Sequence, residues 1–242
     1  MQLSALLPAF SLVDLLALFA VVAIWMLLGW RIEDTAARKP SVTVLMSEYR
    51  REWLRQFVTR QPRIFDATIL GNLRQSTSFL ASTTMIALGG LLALIGNADR
   101  LIGVAEDLSL AGANTRMVEA KLIVTGLFLT HAFLKFLWSN RLFGYSAVIM
   151  SAVPNDPEDP AAHPRARQAA ELNIRAAFNF NRGLRALYFA LATMAWLLGP
   201  WALAAAGLAV GWLVWSREFA SHSRQILVET LPGQDAIPLK NT

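Results

Sequence analysis

The stretch Ser76–Gly96, STSFLASTTMIALGGLLALIG, carries no charged side chain and closes in a run of aliphatic and small residues. A bilayer hydrocarbon core about 30 Å thick is crossed by about 20 predominantly apolar helical residues, and this stretch meets that length. Comparable runs lie at 12–30, at 122–142 within a helical pattern that continues toward Val153, and at 186–215. Across the 242 residues, 55% of the side chains are hydrophobic and 16% are charged. A soluble domain carries about 25% charged residues. The expected fold is therefore all-α: a polytopic membrane protein with four transmembrane helices, forming one membrane domain over 1–242. Its long helices are expected to extend into a cytoplasmic helical platform built from 31–75 and 143–185.

The connections set the orientation. Residues 31–75 hold nine Lys/Arg against five acids, and residues 139–185 hold six Arg against four acids. Residues 97–120 hold only Arg100 and Arg116, against Asp99, Glu106, Asp107 and Glu119. Basic loops stay cytoplasmic, so the N-terminus and 97–120 are expected outside an inner (cell) membrane. The net charge of +5 lies in these connections rather than on one face, which argues against a nucleic-acid partner. No cysteine is present, so thiolate metal sites, thiol nucleophiles and disulfides are excluded. No Lys or Arg precedes Arg31, so residues 12–30 read as a retained helix rather than a cleaved leader.

The run 186–215 is too long for one straight crossing, since thirty helical residues reach roughly 45 Å. Gly199–Pro200 interrupts it, and proline removes a backbone donor and favours a kink. One kinked span is the preferred reading, with Trp196 and Trp201 marking one interface and Trp212 and Trp215 the other. The rival is a hairpin turning at Gly199–Pro200, which returns the C-terminus to the cytoplasm.

On the cytoplasmic side, residues 42–59 read as an amphipathic helix. Val42, Leu45, Met46, Tyr49, Trp53 and Phe57 share one face, opposite Glu48, Arg50, Arg51, Arg55 and Gln56. Its apolar face is expected either in the lipid headgroups or against the protein's own helices. A second helix starts near Arg63 and continues into the second span. Residues 154–164 (PNDPEDPAAHP) are a proline-rich loop, and alanine-rich helix resumes from about Arg165.

Three stretches together resemble a family of uncharacterised bacterial and plant polytopic membrane proteins, known only as a domain of unknown function. They are YRREWLRQFVTRQPRIFDATIL (Tyr49–Leu70) running into FLASTTMIALGGLLALIG (Phe79–Gly96), FLKFLWSNRLFGYSAVIMSAVP (Phe133–Pro154), and NRGLRALYFALATMAWLLGP (Asn181–Pro200) followed by Arg217–Glu218–Phe219. The resemblance implies several membrane helices and carries no activity or functional residue with it.

Polar residues inside spans are functional candidates by default. Asp14 instead has capping-box spacing from Ser11. His131 and Lys135 lie one turn apart on the third span; they form either a polar site in the bundle or a packing histidine beside a snorkelling lysine. The second span carries Ser78, Ser82 and Thr83, then Gly89 and Gly90, with Asn97 and Asp99 at its outer end. Small and hydroxyl residues let membrane helices approach and bond, so packing is the first expectation. A pore lined by this span in a ring of subunits is the second, with Asp99 as a cation-selecting rim. Gly207 and Gly211 form a further GxxxG packing site. Neither a P-loop, H-E-x-x-H nor G-x-S-x-G is present, and the three histidines lie in distant segments, so no enzyme, cofactor or metal is expected. The sequence points to a non-enzymatic homo-oligomeric membrane component or scaffold, partnered by lipid and by other membrane proteins, with a cation channel as the alternative.

Overall fold

The computed structural model describes residues 10–98 and 115–229. Among them every regular element is helical. In chain order these are α1 (Leu12–Glu33), α2 (Val42–Phe57), α3 (Ile64–Ile95), α4 (Thr115–Ser151), α5 (Ala162–Met194), α6 (Pro200–Trp215) and α7 (His222–Val228). A 3-10 turn (Ala195–Leu198) joins α5 to the α6 entry, and a π-helical turn (Ser216–Ala220) follows α6. Three of these, α1, α3 and α4, are long and apolar enough to cross a membrane. Helix α3 reaches roughly 48 Å and α4 roughly 56 Å at 1.5 Å per residue, so both extend beyond a hydrocarbon core about 30 Å thick.

The chain forms two compact units. Among the described residues the first comprises 10–28, 82–98, 115–133 and 183–214; the second comprises 29–81, 134–182 and 215–229.

In the first unit, α1 opens with the capping box that the Ser11/Asp14 spacing predicts. The Asp14 backbone N–H donates to Ser11 Oγ at 3.1 Å, and Asp14 Oδ2 accepts from the Ser11 N–H at 3.2 Å and its hydroxyl at 2.6 Å. Helix α6 lies along α1 through its glycines. A β-carbon on Gly207 would stand 2.5 Å from Val21 Cγ2, and one on Gly211 would stand 2.9 Å from Ile24 Cγ2. Trp25 packs edge-on to Phe128 at 5.1 Å, and Phe128 stacks on Phe189 of α5 at 6.4 Å.

These contacts correct the expected single kinked span over 186–215. Along α1, residue numbers fall on the α5 side: Asp14 meets Trp196 of the turn that follows α5, and Trp25 reaches Phe189 of α5 through Phe128. On α6 they rise, from Gly207 at Val21 to Gly211 at Ile24 and Leu28. The two segments are antiparallel, so 186–215 is a helical hairpin. The second unit shows the same thing independently. The Thr43 hydroxyl donates to Glu218 Oε1 at 2.9 Å and accepts from Asn181 Nδ2 at 3.1 Å. Along one continuous helix residues 181 and 218 would stand roughly 55 Å apart. The local cause is Gly199, whose φ of 122° and ψ of 171° lie in a region that is essentially glycine-only. Pro200 then takes the first position of α6, where its missing N–H costs nothing.

The second unit is built on small residues. Ser139 and Ser146 of α4 donate to the carbonyls of Ala176 and Ala169 at 2.7 and 2.9 Å, which draws α5 close. Leu54, Phe57 and Val58 pack with Leu70, Phe143 and Met150 against the buried alanines of α5, Ala162, Ala166, Ala169 and Ala170. Part of the apolar face of α2 therefore meets the protein's own helices, as one of its two readings expects. The face is rotated from its expected setting, however. Val44, Leu45, Leu54 and Phe57 are buried, while Met46 and Tyr49 are exposed. Helix α5 begins at Ala162, a few residues ahead of the expected Arg165, because Pro164 is tolerated within a first turn.

Candidate functional site

A cleft of about 290 Å³ opens within the second unit, between α2, the start of α3, α4 and α5. Its polar lining comes from Thr43, Ser47 and Arg50 of α2, Ser76 and Thr77 of α3, Asn181 of α5, and Glu218. Phe143, Ile174, Phe178 and Phe180 supply apolar wall. Thr43, Ser47 and Arg50 follow one another at spacings of four and three, so a helix sets all three on one side.

Most of the cleft's polar groups are already engaged. Glu218 accepts from the Thr43 backbone N–H at 3.0 Å and from its hydroxyl. That amide belongs to the first turn of α2, whose dipole favours a carboxylate. The Ser47 and Thr77 hydroxyls donate to the carbonyls of Val44 and Leu73, one turn back on their own helices, at 2.6 and 2.7 Å.

Arg50 differs. Its guanidinium donates to Asn173 Oδ1, a neutral acceptor. Its Nε is buried without an acceptor, and so is Nδ2 of Asn173. Burial pulls the Arg50 guanidinium down to about 10, and no carboxylate offsets it. The other two arginines of α2 contrast with it. Arg51 pairs with Glu171 at 2.8 Å and with Glu48, and Arg55 pairs with Glu52. The neighbouring surface thus consists of ordinary ion pairs, which contribute little, whereas a half-buried cation whose Nε is cut off from water and acceptor alike is costly.

The first unit has a separate polar cluster. Trp196 Nε1 donates to Asp14 Oδ1 at 2.7 Å, and Lys121 Nζ donates to the Trp196 carbonyl at 3.0 Å. Trp196 is 2% exposed. Its expected role as an interfacial marker is therefore corrected: it pins the turn between α5 and α6 onto α1 and α4. Trp201 and Trp212 are exposed, as a lipid interface requires.

The sequence-predicted residues fall elsewhere. Ser78, Ser82 and Thr83 are exposed on α3, and no neighbouring atom lies within 4 Å of a β-carbon built on Gly89 or Gly90. Asn97 donates to the Ala93 carbonyl at 2.8 Å, closing the end of the helix. Asp99 lies outside the described residues. The His131 ring stands edge-on to Trp25 at 5.2 Å, and Lys135 is half-buried on the next turn of α4. None of these lines the cleft. Among the described residues no three His, Asp or Glu gather as metal ligands. Periodicity placed Arg50 on the solvent face of α2 and missed the cleft. The available signal was the polar stripe Thr43–Ser47–Arg50 beside the apolar one.

No curated protein and no solved structure matches the chain. The sequence profile of the family described as "Protein of unknown function, DUF599" matches residues 16–223. The chain belongs to that family.

Proposed function

We propose that this protein is a non-enzymatic, oligomeric component of the cell's inner membrane, assembled through α3. The face of α3 that carries Ser82, Gly89 and Gly90 supports this reading. It is exposed in the single chain, and the β-carbon positions of both glycines are open. Lipid tails gain little from a small residue, whereas a second helix gains close backbone approach and hydroxyl bonds. Because the chain has no cysteine, Gly89→Cys or Ser82→Cys introduces the only thiol. Oxidation in native membranes is expected to yield a covalent dimer at these positions and none for Leu191→Cys, which is exposed on α5. Absence of the dimer at both α3 positions would sink the proposal.

The basic segments 31–75 and 143–185 are proposed as cytoplasmic, with the N-terminus outside. The hairpin adds a crossing to the four first expected. Its two legs, 183–198 and 200–215, each reach roughly 24 Å, and its turn is bonded to the start of α1 through Asp14. Five crossings place the C-terminus in the cytoplasm. Membership of residues 215–229 in the same compact unit as 31–75 and 143–182 supports that side.

A cation pore lined by α3 is the second reading, favoured by the exposure of Ser78, Ser82 and Thr83. Reconstituted protein then passes cation current, reduced in Ser82→Leu and Asp99→Asn. Electrically silent vesicles exclude it.

A further inference from the structure

The cleft in the second unit holds a cation that the fold does not neutralise. Arg50 has one neutral bond, to Asn173, and a buried Nε without an acceptor. The acids of the surrounding elements are each committed elsewhere: Glu218 to Thr43, Glu171 and Glu48 to Arg51, Glu33 to Arg182, and Asp66 to Arg60 and Trp53. Asn173 presents a second buried donor without an acceptor beside the same guanidinium. Beside Arg50 the two buried atoms left over, its own Nε and Asn173 Nδ2, are both donors, and a guanidinium with a hydroxyl donor at the same cleft is suited to a tetrahedral oxyanion.

Ser76 contributes an exposed hydroxyl at the cleft. It is also the first residue of the uncharged run 76–96, so a bilayer crossed by that run would set its headgroups near Ser76. Behind the polar end, Phe178, Phe180 and Ile174 offer wall to an apolar body. The cleft's volume of about 290 Å³ is near the lower bound for small-molecule sites.

We propose that this cleft binds a phosphate group carried on an apolar body, held by Arg50, which Asn173 Oδ1 braces from behind, with Ser76 at the rim. The phosphate is that of a lipid headgroup or of a soluble phosphorylated molecule. Arg50 is then retained for binding at the expense of stability.

The test uses the full chain purified in a phosphate-free maltoside detergent, with thermal unfolding as the readout. Inorganic phosphate is titrated in one arm and dispersed phosphatidylglycerol in the other. A probe at tenfold its Kd is expected to raise the wild-type Tm by about 4 °C. A shift with inorganic phosphate identifies a soluble source, and a shift with phosphatidylglycerol alone identifies the headgroup. Arg50→Met is expected to abolish the shift while keeping or raising the probe-free Tm. Arg50→Lys, which keeps the charge but loses the fork, is expected to retain part of the shift. The proposal is overturned if neither probe moves the wild type, or if both variants shift as the wild type does. It is overturned equally if Arg50→Met lowers the probe-free Tm by several degrees, because Arg50 is then a structural strut.

Discussion

Gly207 and Trp196 show how single residues hold the first unit together. A methyl group at Gly207 meets Val21 Cγ2 at 2.5 Å, so one helix must move. Gly207→Ala is expected to cost about 1–3 kcal/mol through overpacking. Thermal unfolding should show it as a fall in Tm of roughly 2–4 °C per kcal/mol. The same substitution at Gly89 meets nothing within 4 Å and should not lower the Tm of the single chain, since alanine is the better helix former. Trp196 Nε1 is the donor that joins the hairpin turn to Asp14. Trp196→Phe keeps an aromatic ring but removes the indole N–H and leaves Asp14 Oδ1 without that donor, a loss of about 1–3 kcal/mol for a buried acceptor. The same unfolding measurement, with Trp201→Phe as the exposed control, separates this bond from general loss of tryptophan.

At the scale of elements, starts and turns carry the design. Ser41 caps α2 by accepting from the Val44 N–H at 3.1 Å, while its hydroxyl donates to the Ile32 carbonyl at 2.6 Å. One side chain therefore joins the end of α1 to the beginning of α2. Ser41→Ala should destabilise by about 1 kcal/mol through the cap alone, read as a lower Tm or as faster amide exchange in the first turn of α2. Gly199 has no side-chain substitute, because its backbone occupies a region closed to residues with a β-carbon. Gly199→Ala should cost about 1–3 kcal/mol, and proteolysis should open the turn between α5 and α6 before any other helix junction. On the surface of α2 the arginines divide by environment. Arg51 and Arg55 are held by acids in solvent, and Arg50 is turned inward toward Asn173.

For the whole molecule, the direction of α6 decides where the chain ends. The hairpin predicts that a reporter fused at Thr242 reads as cytoplasmic, as does one inserted between Pro154 and Pro164. A reporter placed between residues 100 and 110 should read as external. An external signal at Thr242 would contradict the antiparallel α5–α6 arrangement. Assembly belongs to the same scale. The open face of α3 predicts a Gly89→Cys dimer, while the packed face of α6 predicts that Gly211→Cys stays monomeric, since Ile24 occupies that side.

Much of this was legible in the residues themselves. An unbroken apolar run about 20 residues long has one solution in a bilayer, because every backbone polar group must be satisfied within the segment. That requirement alone identified α1, α3 and α4. The Ser11/Asp14 cap, the proline loop at 154–164 and the small-residue pair at Gly207 and Gly211 are likewise local patterns with local causes. Three features depended on partners distant in sequence and emerged only in three dimensions. Gly199–Pro200 permits a kink or a reversal; segment length favoured the kink, and the structure takes the reversal because Trp196 finds Asp14 while Thr43 joins Asn181 to Glu218. The rotation of α2 was set by which of its residues meet the α5 alanines, which periodicity does not reveal. Arg50 reads in sequence as one more surface arginine. Only the packing of α2 against α5 buries its Nε and Asn173 Nδ2 without acceptors and without a carboxylate at hand.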